Sequence, residues 1–180
     1  MVLPTKKLLV DTVVDLKAMA LSLNGLREEN MTIGSICKRN VVVAPKGESI
    51  VDAAKRMRML HVGTVIIAEE RDGKQVPIGI LTDRDIVLSI VASNAEHLPF
   101  IAVGDAMSDD LLTAVEDTSL ANALRLMQER GVRRLPVVDH SGALVGIVTA
   151  DDVIRFVSEE LGQVVQLMNR EEQVERRYRV

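Results

Sequence analysis

Two short stretches of this chain carry residue types that can do chemistry, and they carry them at the same spacing. Thr82-Asp83-Arg84-Asp85 sets a hydroxyl and a carboxylate three residues apart, and Thr149-Ala150-Asp151-Asp152 does so again. Each follows an aliphatic run that opens on glycine, Gly79-Ile80-Leu81 and Gly146-Ile147-Val148. Two chemistries suit the pattern. A Thr before a helix with an acid three residues on forms a capping box, in which the two side chains satisfy N–H groups that the first turn leaves unpaired. The same helix start offers N–H groups and the positive end of a dipole to a phosphate, and the Thr hydroxyl can donate to a phosphate oxygen. A carboxylate one turn on can accept hydrogen bonds from both hydroxyls of a ribose, as an acid does in dinucleotide folds. The spacing is compatible with both chemistries and selects neither.

Other chemistry finds little support. Cys37 is the single cysteine, so no intramolecular disulfide is expected, and no Cys/His cluster has zinc-ligand spacing. His61, His97 and His140 stand far apart in different contexts and read as surface or core histidines rather than a metal set. No P-loop and no nucleophile–base pair is present, so no catalytic residue and no cofactor are assigned. Asp83 and Asp85, or Asp151 and Asp152, fit cap and ribose roles better than acid–base work.

The two motifs belong to a longer repetition. At an offset of 70 positions Ile33-Gly34 meets Val103-Gly104, Ser49 meets Ser119, Ala53 meets Ala123, Met57 meets Met127 and Val62 meets Val132. The offset falls to 67 after three extra residues near Arg71–Gln75. Such insertions sit well in surface turns, because the cost of closing a loop grows slowly with its length. An internal duplication of this kind builds a pseudo-symmetric structure with a site at the joint.

The elements that must position the motifs read alike in both copies. Val41–Val43 and Leu111–Thr113 are expected as short strands. Ser49 opens a helix to about Leu60, with Asp52 as its capping partner, and Ser119 opens one to Arg130 that Gly131 ends. Thr64–Ala68 and Leu135–Val138 are strands, followed by turns at Asp72-Gly73 and Ser141-Gly142. A further strand, Ile78–Leu81 or Leu144–Val148, leads into Thr-x-x-Asp and a closing helix. Each unit is thus strand–helix–strand–strand–helix, an α/β (α+β) arrangement of helices on a small sheet. Outside the repeat, Leu9, Val13, Leu16, Ala20 and Leu23 recur at helical spacing from Thr5 to Asn24. Residues beyond 157 continue as a helix with Leu161, Val164, Val165 and Met168 on one side, into a charge-dense end. The expected boundaries are 1–30 for an N-terminal amphipathic helix, 31–99 and 100–160 for the two units, and 161–180 for a helical tail.

The bulk numbers narrow the function classes. With 180 residues and a 47% apolar share, the chain can bury a core in one or two small domains. A net charge of −4 gives no pull toward nucleic acid or an anionic membrane. Aromatics are only 2%, which disfavours base stacking by a single-strand binder. Arg176-Arg177-Tyr178-Arg179 sits beside Glu171, Glu172 and Glu175 and reads as a solvated end. No apolar run approaches the roughly 20 residues that span a bilayer. Lys6-Lys7 and the stretch after it faintly mimic a signal peptide, but Asp11, Asp15 and Lys17 interrupt it. The expectation is a cytoplasmic protein with no nucleic-acid or membrane partner.

Taken together, the repeat and its motifs resemble a tandem pair of CBS domains, named after cystathionine β-synthase, the pair being a Bateman module. The second unit carries the resemblance most fully, with Gly131-Val132-Arg133-Arg134-Leu135-Pro136-Val137-Val138-Asp139 and then Gly142–Thr149. Gly79–Asp85 of the first unit and the linking Val103-Gly104-Asp105-Ala106-Met107 are equally typical. The resemblance covers residues 31–160. It implies two βαββα units packed about a pseudo-twofold axis, with clefts between them that in many members hold AMP, ADP, ATP or an adenosyl compound. It implies that Asp85 and Asp152 hold ribose hydroxyls, that Thr82 and Thr149 lie near phosphate or ribose, and that Val62 and Val132 pack on the base. Thr113 falls where the family often has a Thr facing ligand, and Arg134 where some members place a cation for phosphate. The first unit has Val43 in place of Thr113 and Thr64 in place of Arg134, so one tight and one weaker site are expected. The implied function is a stand-alone, non-catalytic module that senses adenine nucleotide, pairs as a homodimer and signals to an effector protein. The alternative is an interaction scaffold whose clefts are vestigial and whose outer helices do the work.

Overall fold

The computed structural model describes residues 31–92 and 95–178. The helix expected over Thr5–Asn24 lies outside them. In chain order the elements are α1 (Ile33–Ile36), β1 (Val43–Ala44), α2 (Ile50–Leu60), β2 (Thr64–Arg71), β3 (Lys74–Thr82), α3 (Asp83–Asp85) running into a π-helical turn (Ile86–Val91), and a 3-10 turn (Ala95–Phe100). The second copy follows as α4 (Val103–Ala106), β4 (Ala114–Val115), α5 (Leu120–Arg130), β5 (Arg134–Val138), β6 (Leu144–Thr149) and α6 (Ala150–Tyr178).

Two three-stranded sheets result, in orders β1-β2-β3 and β4-β5-β6. In each the first strand is parallel to the second and the second antiparallel to the third. The register slips at Ile67/Ala68 in one sheet and at Val137/Val138 in the other, the same place in both copies. The first strands lie slightly later than Val41–Val43 and Leu111–Thr113. Only Val43 and Ala44 pair alongside β2, and Pro45, which lacks an N–H, cannot continue that ladder.

The helices begin where the sequence signals them. Ser49 and Ser119 cap α2 and α5 by accepting hydrogen bonds from the N–H groups of Asp52 (3.1 Å) and Asn122 (3.3 Å). Both helices end on a left-handed residue, Gly131 (φ 64°) in one and His61 (φ 53°) in the other. The closing helices differ. In the first unit three α-helical residues pass into the π-helical turn, which buries Ile86 and Ile90. In the second unit α6 runs unbroken for 29 residues, so the expected boundary at 160/161 falls inside one helix. No described helix is long and apolar enough to cross a membrane.

The two cores do not follow the two halves of the chain. Ile33 is buried in the core of β4–β6 with Ala123, Leu135 and Val148, and Ile36 and Cys37 pack against it. Val103 is buried in the core of β1–β3 with Ile50, Val65 and Leu81, and Ala106 and Met107 pack against it. The entry segment of each copy is therefore built into the other copy. Backbone bonds fasten the exchange symmetrically. The N–H groups of Ile33 and Gly34 donate to Thr118 and Glu116 carbonyls, both at 2.9 Å. Those of Val103 and Gly104 donate to Glu48 and Lys46 carbonyls, at 2.7 and 2.9 Å. Each entry segment then crosses the opposite third strand in its later half, at Lys38 on Ile147 and at Ser108 on Ile80.

Candidate functional site

Both Thr-x-x-Asp motifs fold as capping boxes with nearly the same dimensions. The Thr82 N–H and hydroxyl both donate to Asp85 Oδ2, at 2.9 and 2.7 Å, and the Asp85 N–H returns to Thr82 Oγ1 at 3.2 Å. Thr149 and Asp152 repeat this at 3.0, 2.7 and 3.2 Å. The hydroxyl proton of each Thr is thus committed to its own Asp. In this arrangement a Thr that donates to a phosphate must first release its own Asp.

Two clefts of about 320 and 340 Å³ flank the joint between the copies. They are related by the repeat. The first brings Ile80, Thr82 and Asp85 of one copy to Ser108, Leu111, Leu112, Val132, Arg133 and Arg134 of the other. The second brings Ile147, Thr149 and Asp151 to Lys38, Val41, Val42, Val62 and Thr64, with Arg134 and Arg155 at its edge. The expected site residues are therefore regrouped. Thr82 and Asp85 share a cleft with Val132 and Arg134, whereas Thr149 shares one with Val62; Asp152 does not line that second cleft and adjoins it through Lys38, which does. Arg134 reaches both. Val43 and Thr113 line neither; Val43 pairs with Ile66 of β2, and Thr113 immediately precedes β4.

The regrouping follows from the exchanged entry segments, which carry each copy's opening residues across the joint. It also exposes what the sequence reading passed over, namely Lys38 and Ser108. These hold the same place in the repeat. Each makes a reciprocal pair of backbone bonds with the third strand, Lys38 with Ile147 (2.9 and 3.0 Å) and Ser108 with Ile80 (3.0 and 3.3 Å). Their side chains differ in charge. Lys38 Nζ reaches Asp152 Oδ1 at 2.7 Å, while Oδ1 of Asp85 takes no hydrogen bond from a described residue. The contrast of Lys38-Arg39 with Ser108-Asp109 in the aligned repeat was the available signal.

Electrostatics follow that contrast. Asp152 is only 6% exposed, and burial by itself pushes its carboxyl upward; the hydrogen bonds from Lys38 and Thr149 outweigh this and hold it below the usual carboxylate range. Arg134 is half-buried and makes no ion pair with a described residue. Arg133 reaches Asp151 at 3.4 Å, with both side chains exposed. The Thr64 hydroxyl, in the position that Arg134 holds in the other copy, is buried without a hydrogen-bond partner. Cys37 packs against the core of β4–β6 beside Lys38, and burial raises its thiol above the ordinary value. Among the described residues no group of three or more His, Cys, Asp or Glu could hold a metal ion.

Comparison with known proteins agrees with this architecture. The family model described as "CBS domain" matches residues 33–92 and 103–159. An uncharacterized protein of Methanopyrus kandleri, MK0525, is 36% identical over 126 residues, covering 70% of this chain and 62% of the relative. This chain thus spans under two thirds of that relative's length. Among solved structures, the CBS domain pair of protein MJ0100 in complex with 5-methylthioadenosine and S-adenosyl-L-methionine aligns with a TM-score of 0.63 at 25% identity, covering 72% of this chain and 98% of that one. CBSX2 in complex with AMP aligns with a TM-score of 0.61 at 27% identity, again covering 72% and 98%.

Proposed function

This chain belongs to the CBS-domain family, and on that footing we propose that it is a regulatory module that binds an adenine nucleotide between its two copies. The ligand is AMP, ADP, ATP or an adenosyl compound. The observation that carries the reading is the cleft at Asp85. Among the described residues it holds a carboxylate with one oxygen open, an arginine without an ion-pair partner, and aliphatic walls from Ile80, Leu112 and Val132. A carboxylate suits ribose hydroxyls, a guanidinium suits phosphate, and flat apolar walls suit a base. The AMP and S-adenosylmethionine complexes of structurally similar CBS proteins support the ligand class.

Binding between the copies biases how they pack. It shifts the protein only by the difference in its affinity for the alternative packings. An effector protein reads that shift, and the module works as a non-catalytic homodimer in the cytoplasm, without nucleic acid or membrane. Isothermal titration of ligand-free protein with AMP, ADP, ATP and S-adenosylmethionine tests the reading. Saturable micromolar binding of one of them is expected. No binding by any, from folded protein, would leave the alternative of an interaction scaffold. That alternative draws on the apolar side chains that α6 leaves exposed, Leu161 and Met168 among them.

A further inference from the structure

We infer that the two clefts are unequal by construction: the Asp85 cleft takes the nucleotide, and Lys38 latches the Asp152 cleft against it. The inference rests on the nucleotide reading above and adds which cleft is used and which residue decides it.

Four observations on the same pair of positions carry it. Lys38 and Ser108 occupy one place in the repeat and are fixed by equivalent backbone bonds to Ile147 and Ile80. The two capping boxes they overlook have matching geometry. Among the described residues, the ammonium that pairs entry segment with motif is Lys38, whose Nζ lies 2.7 Å from Asp152 Oδ1. That oxygen is the one that the capping box leaves over, since the Thr149 N–H and hydroxyl both use Oδ2. Asp152 thus has both oxygens engaged inside the protein, whereas Asp85 keeps one for a ligand.

The physical consequence is competition. A ribose entering at Asp152 must displace a charge-assisted hydrogen bond with two neutral hydroxyl bonds, at a carboxylate that is nearly buried. At Asp85 the ribose displaces only water. Arg134 and Val132, which belong to the second copy, line the cleft of the first unit's Asp85.

The test counts sites with AMP as probe, by isothermal titration of the full chain and of variants exchanged across the repeat. Wild type should bind one AMP per chain, and Asp85→Ala should weaken it at least tenfold. Lys38→Ser should raise the count to two, and Ser108→Lys should weaken the wild-type site at least tenfold. Lys38→Met keeps the aliphatic stem and repeats the first arm should the serine variant not fold. Carbon-13 titration of the Asp152 carboxyl gives a readout without ligand: it titrates below the ordinary aspartate range in wild type and rises in the Lys38 variants. Two equal sites in wild type, a single site retained in both Lys38 variants, or undiminished binding by Asp85→Ala would overturn the latch while leaving the nucleotide reading intact. No binding of AMP, ADP, ATP or S-adenosylmethionine by wild type or by either Lys38 variant would overturn both, and the carboxyl titration would then report whether the ion pair exists in solution.

Discussion

Asp85 and Asp152 occupy identical caps yet face different neighbours, and the difference can be measured one residue at a time. If Asp85 only caps, its replacement by Ala costs about 1 kcal/mol of stability and nothing in binding. If it holds ribose, Asp85→Ala also loses tenfold or more in AMP affinity, which corresponds to about 1.4 kcal/mol. Paired titration and thermal denaturation of the variant separate the two roles. Asp152 carries a pH signature as well. Its folded carboxyl is depressed below the unfolded value of about 3.9. Its contribution to stability is therefore complete above roughly pH 5 and is lost as pH falls through the folded value. Lys38→Met removes a principal cause of that depression and leaves the burial that opposes it. The variant should be less stable than wild type by about 1 kcal/mol at pH 7, and the difference should shrink toward pH 2. Denaturant midpoints at the two pH values check this, and a constant difference would count against the ion pair as its origin.

Among the elements, the glycines that open the two motifs are set by crossing chains. A Cβ on Gly146 would stand 2.6 Å from Cys37 Sγ and 3.1 Å from the Lys38 carbonyl oxygen. A Cβ on Gly79 would meet Met107 and the Ser108 carbonyl in the same way. The third strand needs glycine there because the exchanged entry segment lies directly on it. Gly146→Ala should destabilise the protein by about 1–3 kcal/mol through this overpacking, read as a lower denaturation midpoint. It should also disturb Lys38 before it disturbs the hairpin. The ends of α2 and α5 supply a contrast of opposite sign. His61 holds a left-handed conformation that Gly131 adopts in the other copy without strain. His61→Gly should therefore stabilise by roughly 0.5 kcal/mol, the gain at the helix end exceeding the added freedom of the unfolded chain. A lower melting temperature for this variant would show that the His61 side chain contributes packing that outweighs the strain.

For the molecule as a whole, the long helix α6 leaves its apolar side uncovered within one chain. Leu161 is 60% exposed and Met168 63%, and Ile154, Val157 and Val164 join them at alternating spacings of three and four. Such a seam suits a second helix. In the proposed homodimer it is covered, and replacing both Leu161 and Met168 by Glu should shift the protein to monomer in sedimentation while leaving the fold of β1–β6 intact. A dimer that survives the double change would place the interface elsewhere, for instance where Val87 and Leu88 are exposed.

Much was legible in the sequence because it is local. Duplication, strand and helix order, serine caps, the glycine at the end of α5 and both capping boxes depend on residues within a few positions of one another, where propensity and hydrogen-bonding reach decide the outcome. The lining of one cleft was partly legible for the same reason. Thr82, Asp85, Val132 and Arg134 each lie at a recognisable place in the repeat, and three-dimensional structure brings those four to one cleft. Their partnership was not legible. A repeat read along the chain assigns each motif to its own unit, whereas the folded protein exchanges the segments beginning at Ile33 and Val103, so each cleft draws on both copies. That exchange is a long-range choice, made by burying Ile33 and Val103 in opposite cores, and no spacing rule encodes it. The pairing of Lys38 with Asp152 belongs to the same class: 114 positions separate them in the chain, and only the crossing of the entry segment over β6 brings ammonium to carboxylate. The sequence determined what the two copies are made of, because local chemistry is written in adjacent residues; the tertiary structure decided that they are not equivalent, because charge acts through distance in space.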